Sequence, residues 1–357
     1  MSQGKILAVL GAQYGSEGKG VIVNSIANEY DVHVRVGSPN AGHTFYWNGE
    51  KHVMQSIPCG WTNPNATIII GRGALINIGL LLKEIIHIEK YYPDFRTRLF
   101  IDADAGILDE KFHQQEGGVH GEIHRRIGST GEGVGVARIA RLARDPNNFQ
   151  LFKDVCELYG LEKLSMENTP QFILNKFKSG SKILLEGTQG SALSLIHCGC
   201  WPYCTSIDTN AAAIISEVGI APRNLTNVLM VARTYPIRVA GNSGPMKNEI
   251  SWDVISNKFG RPIEEKTTVT KKVRRIAEWD DGLIQNAIIL NAPTSFAITF
   301  MDYLDPSVEG IYSETELIQS VSVRQFIDKF EKKWKIPISI VGTGGWETRT
   351  IRLREEL

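Results

Sequence analysis

The sequence predicts an α/β fold with a mostly parallel central sheet. Short runs of Ile, Leu and Val alternate with longer helical patterns along the 357 residues. Several of those runs are apolar almost throughout, as strands covered on both faces are. The first run ends in a glycine-rich loop that leads directly into a helical pattern, as in P-loop-like proteins.

Taken in chain order, the strand runs fall at residues 5–10 (KILAVL), 32–36 (VHVRV), 67–70 (TIII), 98–101 (RLFI) and 182–185 (KILL). Four more follow at 227–231 (NVLMV), 287–290 (AIIL), 296–299 (FAIT) and 338–341 (ISIV). Helices are expected over 21–29, 74–91, 154–162, 211–217 and 320–333, where apolar residues recur at helical spacing. There is no internal repeat, low-complexity tract or Pro/Ser-rich linker, so residues 1–357 read as a single domain with long functional loops.

Composition narrows the function classes. Apolar residues make up 42% of the chain, enough for a substantial core, and 39 Lys+Arg balance 39 Asp+Glu. That balance argues against a protein that coats nucleic acid, where a strong basic excess is expected. The first residues do not form a signal peptide. No apolar run reaches the roughly 18 residues a membrane span needs; the run near 74–88 contains Asn77, Lys83 and Glu84. Five cysteines, an odd number without a framework, point to a reducing cytoplasm.

The loop after the first strand reads Gly11-Ala-Gln-Tyr-Gly15-Ser16-Glu17-Gly18-Lys19-Gly20. Glycines let backbone N–H groups converge on one anion, and Lys19 adds a point charge. A strict Walker motif ends in Gly-Lys-Ser/Thr; here Gly20 follows Lys19, so that motif fails, and a glycine-rich turn with one lysine is the bland alternative. A second loop, Gly37-Ser-Pro-Asn40-Ala-Gly42-His43-Thr44, also follows a strand. Both loops therefore open onto the crevice where parallel sheets bind ligands. His43 can donate to a phosphate oxygen and the Gly42 carbonyl can ligate Mg²⁺, although an isolated loop histidine is more often structural.

These two loops resemble the adenylosuccinate synthetase family, whose hallmarks are Gly-x-Gln-Trp-Gly-Asp-Glu-Gly-Lys-Gly-Lys and Asn-Ala-Gly-His-Thr. The resemblance continues along the chain. Ile127-Gly-Ser129-Thr130-Gly131 is similar to the family's nucleotide-phosphate loop. Leu185-Glu-Gly-Thr-Gln189-Gly190 and Trp201-Pro-Tyr-Cys-Thr205-Ser206 match segments that touch the purine nucleotide, and Arg238-Val239 matches a sugar-contacting stretch. Thr270-Lys-Lys272-Val-Arg274-Arg275 resembles the aspartate loop. Ala297-Ile-Thr-Phe300-Met-Asp302 and Gly342-Thr343-Gly344 fall where the family holds the base of the triphosphate. The length is that of the family's short forms.

The resemblance implies a carbon–nitrogen ligase. A γ-phosphoryl group is moved onto O6 of a purine nucleotide, and the amine of L-aspartate then displaces phosphate at C6. Such transfer needs alignment and charge neutralisation rather than covalent help. It implies catalytic roles for Ser16, Lys19 and His43, and Mg²⁺ as cofactor at Ser16 and Gly42. Ser16, Glu17, Gly18, Lys19, Gly20, Gly42, His43 and Thr44 would hold the triphosphate's phosphates, and Phe300, Asp302, Gly342, Thr343 and Gly344 its base. Ser16, Asn40, Ser129, Thr130, Gln189, Thr205, Val239 and Lys272 would hold the acceptor nucleotide, with Arg141 reaching across a homodimer interface. Thr270, Lys272 and Arg274 would hold aspartate, for which an arginine fork is well suited.

Three departures from the family pattern refine this. Ser16 stands where the family has its catalytic Asp, and a hydroxyl is no carboxylate base. Its absence frees space and removes charge beside N1 and C2, where a 2-amino purine would fit. This resembles the bacteriophage branch that aminates dGMP on the way to 2-aminoadenine (diaminopurine) DNA, and would place the protein in the host cytoplasm. Which group then deprotonates N1, Glu17 or a metal-held water, stays open. Phe300 replaces a Lys and Gly342 a Ser that address guanine, which favours ATP or dATP over GTP. Lys272 replaces the first arginine of the aspartate loop, keeping charge without the fork.

Other readings remain. They are an ordinary synthetase acting on IMP with GTP, a non-catalytic nucleotide-binding relative, and a bare ATPase. The Thr130, Gln189, Thr205 and Arg274 segments speak against the last. His197, Cys198, Cys200 and Cys204 have zinc-ligand chemistry but an uncommon spacing, so packing around Thr205 is the preferred reading there.

Overall fold

In the computed structural model, which describes residues 3–266, 272–344 and 349–357, the apolar runs assemble into one ten-stranded sheet. In chain order its strands are β1 (Lys5–Gly11), β2 (Val32–Arg35), β3 (Thr67–Ile70), β4 (Leu99–Asp102) and β5 (Ser165–Met166). The rest are β6 (Lys182–Glu186), β7 (Asn227–Arg233), β8 (Ser295–Thr299), β9 (Ile338–Gly342) and β10 (Thr350–Arg352). They lie in the order β10-β9-β8-β7-β1-β6-β2-β3-β4-β5. Every pairing is parallel except that of β10 with β9.

β1, at the centre, shows why its run is continuously apolar. Leu7 and Val9 join the core on one face of the sheet, while Ile6, Ala8 and Leu10 join the core on the other. Because the strands are parallel, the ends of β9, β8, β7, β1, β6 and β2 line one rim, with Gly342, Thr299, Arg233, Gly11, Glu186 and Arg35 as their last residues. The hairpin His43–Trp47/Glu50–Met54 follows β2 on this rim. A small three-stranded sheet, Ile237–Arg238, Arg275–Ala277 and Glu249–Ile250, stands beyond β7.

Three expectations need correction. Residues 287–290 are not a strand but part of the helix Asp281–Asn291, which is capped by Asp280 accepting from the Gly282 N–H at 2.8 Å. Its buried positions Ile284, Ala287 and Asn291 keep helical spacing, which a four-residue apolar run cannot reveal. The helix expected over 74–91 begins only at Ile78. Leu75–Ile76 pairs instead with Gly106–Ile107, and the Asn77 side chain caps Ile78–Glu89. Over 154–162 the chain forms a short helix, Phe152–Val155, followed by 3₁₀ turns. Among the described residues no helix is long and apolar enough to cross a membrane.

Candidate active site

The glycine loop is organised around a carboxylate of its own. Glu17 is fully buried; its Oε1 accepts from the N–H groups of Gln13 (3.0 Å) and Gly15 (2.8 Å), and its Oε2 pairs with Lys19 Nζ at 2.7 Å. Lys19, 3% exposed, is thereby fixed at the start of the helix Lys19–Ser25. With both oxygens committed, Glu17 is a poor choice for the base at N1. Ser16, by contrast, is exposed at the loop's tip, with φ of 60°. A Cβ on Gly11 would lie 2.5 Å from the Gln189 carbonyl and 2.8 Å from Lys19 Nζ, so only glycine admits the neighbouring loop this closely.

The second loop meets the first. Gly20 packs so tightly on the hairpin that a Cβ there would sit 2.9 Å from the Thr44 carbonyl and 3.0 Å from His43 Cβ. His43 is buried, and its Nδ1 lies 2.6 Å from Glu186 Oε1. Glu186 also takes Arg35 Nη1 at 2.9 Å and the Cys59 N–H at 2.7 Å. Burial alone would raise the Glu186 pKa, but Arg35, His43 and Cys59 together hold it down at about 2. Burial, then the charge of Arg35, push His43 down to about 4, so the resting imidazole is neutral with Nδ1–H on the carboxylate. Nε2 is then left for a ligand. Among the described residues, His43, Cys59 and Glu186 are the one group bringing three ligand-type atoms within 4.8 Å of one another; Arg35 already supplies its cation.

On the other side of β1, Arg233 joins three segments. Its backbone is clamped by the Gln13 amide, N–H to Oε1 and carbonyl to Nε2, both 3.0 Å. Its fully buried guanidinium donates to the Ser16 carbonyl at 3.3 Å, forks onto Glu265, and lies 3.8 Å over the Phe300 ring. Glu265 accepts from Tyr303 Oη at 3.0 Å, and its carbonyl takes the Arg274 N–H at 2.8 Å. The half-buried Arg274 is thus tied through Glu265 and Arg233 to the glycine loop. Lys272 is exposed; Thr270 lies outside the described residues. Thr299 Oγ1 donates to the Glu17 carbonyl at 2.7 Å, which brings Phe300, Asp302 and, through Gly342 beside Thr299, the 342–344 segment to the same rim. Asp302 is 2% exposed, and its Oδ1 is buried without a hydrogen-bond partner.

The remaining residues expected to hold the acceptor nucleotide lie on several separate segments. Gln189, with φ of 63°, lies beside Gly15, and half-buried Thr205 donates its N–H to the Leu193 carbonyl at 2.8 Å. Asn40 is half-buried and Gly42 exposed at the turn into the hairpin. Ser243 Oγ donates to the Val239 carbonyl at 2.5 Å. Ser129 Oγ donates to Glu116 Oε1 at 2.6 Å, and Thr130 beside it is exposed. This loop packs on the segment after Val239, where the Asn242 amide donates to the Arg126 carbonyl at 2.7 Å and Gly128 lies against Ser243. Arg141 is held within its own chain, donating to the Asp104 carbonyl at 3.1 Å and lying over Phe149. Cys198, Cys200 and Cys204 are half-buried free thiols, with the Cys200 N–H 3.4 Å from Cys198 Sγ.

Arg35, Glu186, Gln13, Arg233, Glu265 and Glu116 were not singled out from the sequence. For three of them a signal existed: Arg35, Glu186 and Arg233 each close a mainly apolar strand, and a charge so placed must be paired.

Two overlapping segments, residues 8–158 and 148–312, match the adenylosuccinate synthetase family. The chain is 34% identical over 351 residues to the adenylosuccinate synthetase of Methanococcus vannielii, covering 98% of each. It is also 34% identical over 352 residues to that of Methanocaldococcus jannaschii, covering 98% of this chain and 97% of the other. Among solved structures it resembles cyanophage S-2L succinoaminodeoxyadenylate synthetase bound to dGMP and dATP as an energy donor, with a TM-score of 0.81 and 27% identity over 98% of this chain and 96% of that one. The fully ligated adenylosuccinate synthetase of Plasmodium falciparum shares the fold, with a TM-score of 0.80 at 22% identity over 98% of this chain and 100% of that one. A mostly parallel sheet with both glycine-bearing loops on one rim, matched over nearly its whole length, makes this chain a member of the adenylosuccinate synthetase family and a carbon–nitrogen ligase that joins aspartate to a purine nucleotide.

Proposed function

We propose that residues 1–357 form one synthetase domain that condenses L-aspartate with C6 of dGMP while ATP or dATP is cleaved, giving 2-amino-2′-deoxy-N6-succinyladenylate. The observation that carries this reading is Ser16. It occupies the tip of the loop where the family has its aspartate, exposed and fixed through its carbonyl by Arg233. The neighbouring carboxylate does not replace that aspartate, since Glu17 is turned inward and bound on both oxygens. With serine at this position, the family's acceptor pocket would have room beside C2 of the base, where guanine carries its amino group. The likeness to a synthetase whose structure holds dGMP and dATP supports the same reading.

In this reading Lys19 neutralises charge on the transferred phosphoryl group, and His43, its Nδ1–H held by Glu186, donates from Nε2 once the negative charge of the bound phosphates raises its pKa and protonates the ring. Ser16 Oγ and the Gly42 carbonyl are hard oxygen donors of the kind Mg²⁺ takes alongside phosphates, and both residues are exposed on the loops. When bound, the ion supplies charge neutralisation across the phosphates. Arg274, with Thr270 and Lys272, takes the aspartate carboxylates; Ser129, Thr130, Gln189, Thr205, Asn40 and Val239 take the acceptor nucleotide. A cytoplasmic homodimer, with Arg141 at its interface, completes the proposal.

The archaeal relatives at 34% identity favour a second reading, an ordinary synthetase that uses IMP. A substrate matrix separates them: dGMP, GMP and IMP against ATP, dATP and GTP, with aspartate and Mg²⁺, following succinyl-nucleotide formation. Conversion of dGMP well above IMP supports the first reading, and the reverse order overturns it.

A further inference from the structure

Asp302 is a buried acid without a base. It follows Phe300, whose φ of 58° turns the chain from β8 into the short helix Met301–Leu304. It is 2% exposed, its Oδ1 is enclosed without a hydrogen-bond partner, and among the described residues no Lys, Arg or His forms an ion pair with it. The charged groups facing it are already engaged elsewhere: Arg233 forks onto Glu265, and Glu309 pairs with Arg261. Two residues earlier, where the family pattern has a lysine, the Phe300 ring lies against Arg233, so no ammonium is delivered from that side.

An aspartate in such surroundings can satisfy its buried oxygen in two ways. As a carboxylate it only accepts, and would suit the paired N1–H and N2–H donors of guanine. As a neutral acid it donates through one oxygen and accepts through the other, which suits the N1 acceptor and N6 amino donor of adenine. A mismatched pairing leaves a buried donor or acceptor unpaired, which is how such sites reject the wrong base.

We propose that Asp302 reads the triphosphate's base as a neutral carboxylic acid, its O–H donating to N1 and its carbonyl oxygen accepting from the N6 amino group of adenine. The proposal rests on the reading of Phe300, Asp302 and the 342–344 segment as the base site. Burial first, with Glu309 in support and Arg233 opposing, pushes Asp302 up to about 7, so the neutral form is well populated near neutrality. The choice of triphosphate then depends on pH. Adenine is favoured while Asp302 holds its proton, and the advantage shrinks as the proton leaves.

The test is binding of non-hydrolysable ATP and GTP analogues with Mg²⁺, by calorimetry between about pH 6 and about pH 8.5, to the full chain and to Asp302→Asn. The asparagine amide carries one donor and one acceptor at every pH, in nearly the same shape. Wild type should prefer the adenine analogue at low pH, and that preference should fall by about tenfold or more across the range. Asp302→Asn should keep its adenine preference at all pH values. Since the γ-phosphate ionises alike in both analogues, their ratio isolates the base. A preference that does not move with pH, or moves equally in both proteins, overturns the proposal while leaving the base site intact. Failure of both analogues to bind at any pH overturns the base-site reading itself.

Discussion

Arg35 and Glu186 stand opposite each other on the neighbouring parallel strands β2 and β6, and their side chains pair at 2.9 Å with no more than 2% of either exposed. Removing one member of a buried pair strands the other charge, at a cost of about 3–5 kcal/mol. Glu186→Gln is therefore expected to lower stability by about that amount in urea unfolding. A loss below about 1 kcal/mol would mean that Arg35 finds another partner.

Lys19 and His43 lie on two loops that pack together at Gly20, one fixed by Glu17 and the other by Glu186. Lys19→Ala and His43→Ala should each reduce kcat by about 10²–10³. Circular dichroism should show the fold retained in both. Turnover near the wild-type value in both variants would remove these residues from phosphoryl transfer.

His33 gives the enzyme an acid-sensitive core. Its ring is fully enclosed, with Nε2 3.0 Å from the Ala27 carbonyl, and burial lowers its pKa to about 4. The unfolded chain takes up this proton near its ordinary pKa of about 6.5, whereas the folded chain resists until about pH 4. Between those values the unfolded state binds more protons, so stability is full above the upper one and declines as pH falls toward the lower. Melting temperature should fall over this window, and His33→Gln should flatten the decline; an unchanged profile would assign the sensitivity elsewhere. Gly60 lies against this ring so closely that a Cβ would enter it, so Gly60→Ala should also destabilise the protein.

How much of this was legible beforehand follows from distance along the chain. β1 and its glycine loop are contiguous, and the apolar run, the turn and the helix after it announce themselves within 21 residues. The Arg35–Glu186 pair spans 151 positions, and Arg233 meets Ser16 across 217. Only the sheet order brings them together, and no local pattern encodes that order. The error at 287–290 has a different cause. Four apolar residues fit a buried helix face as well as a strand, and the deciding residues, Ile284 and Asn291, lie outside the run.

Arg274 is positioned by a chain that ends at the glycine loop, through Glu265 and Arg233. Arg274→Leu should raise KM for aspartate about tenfold or more and change KM for the nucleotides far less, since one carboxylate clamp is lost. Initial-rate kinetics with each substrate varied in turn read this directly. Equal effects on all three would show that the loop serves another substrate.

The most direct test of dGMP as acceptor is Ser16→Asp, which restores the family's carboxylate. The position has φ of 60° and is exposed, and aspartate tolerates that backbone region at least as well as serine, so the variant should fold. A carboxylate could accept from both N1–H and the 2-amino group, so charge alone does not exclude guanine. The conflict is one of space: a base displaced by about 1 Å loses its alignment at a cost of about 10²-fold in rate. kcat/KM for dGMP and for IMP should be measured in both proteins. Wild type should prefer dGMP, and Ser16→Asp should lose activity on dGMP while gaining it on IMP. A wild type that prefers IMP, or an aspartate variant that handles dGMP better, would contradict the role given to Ser16.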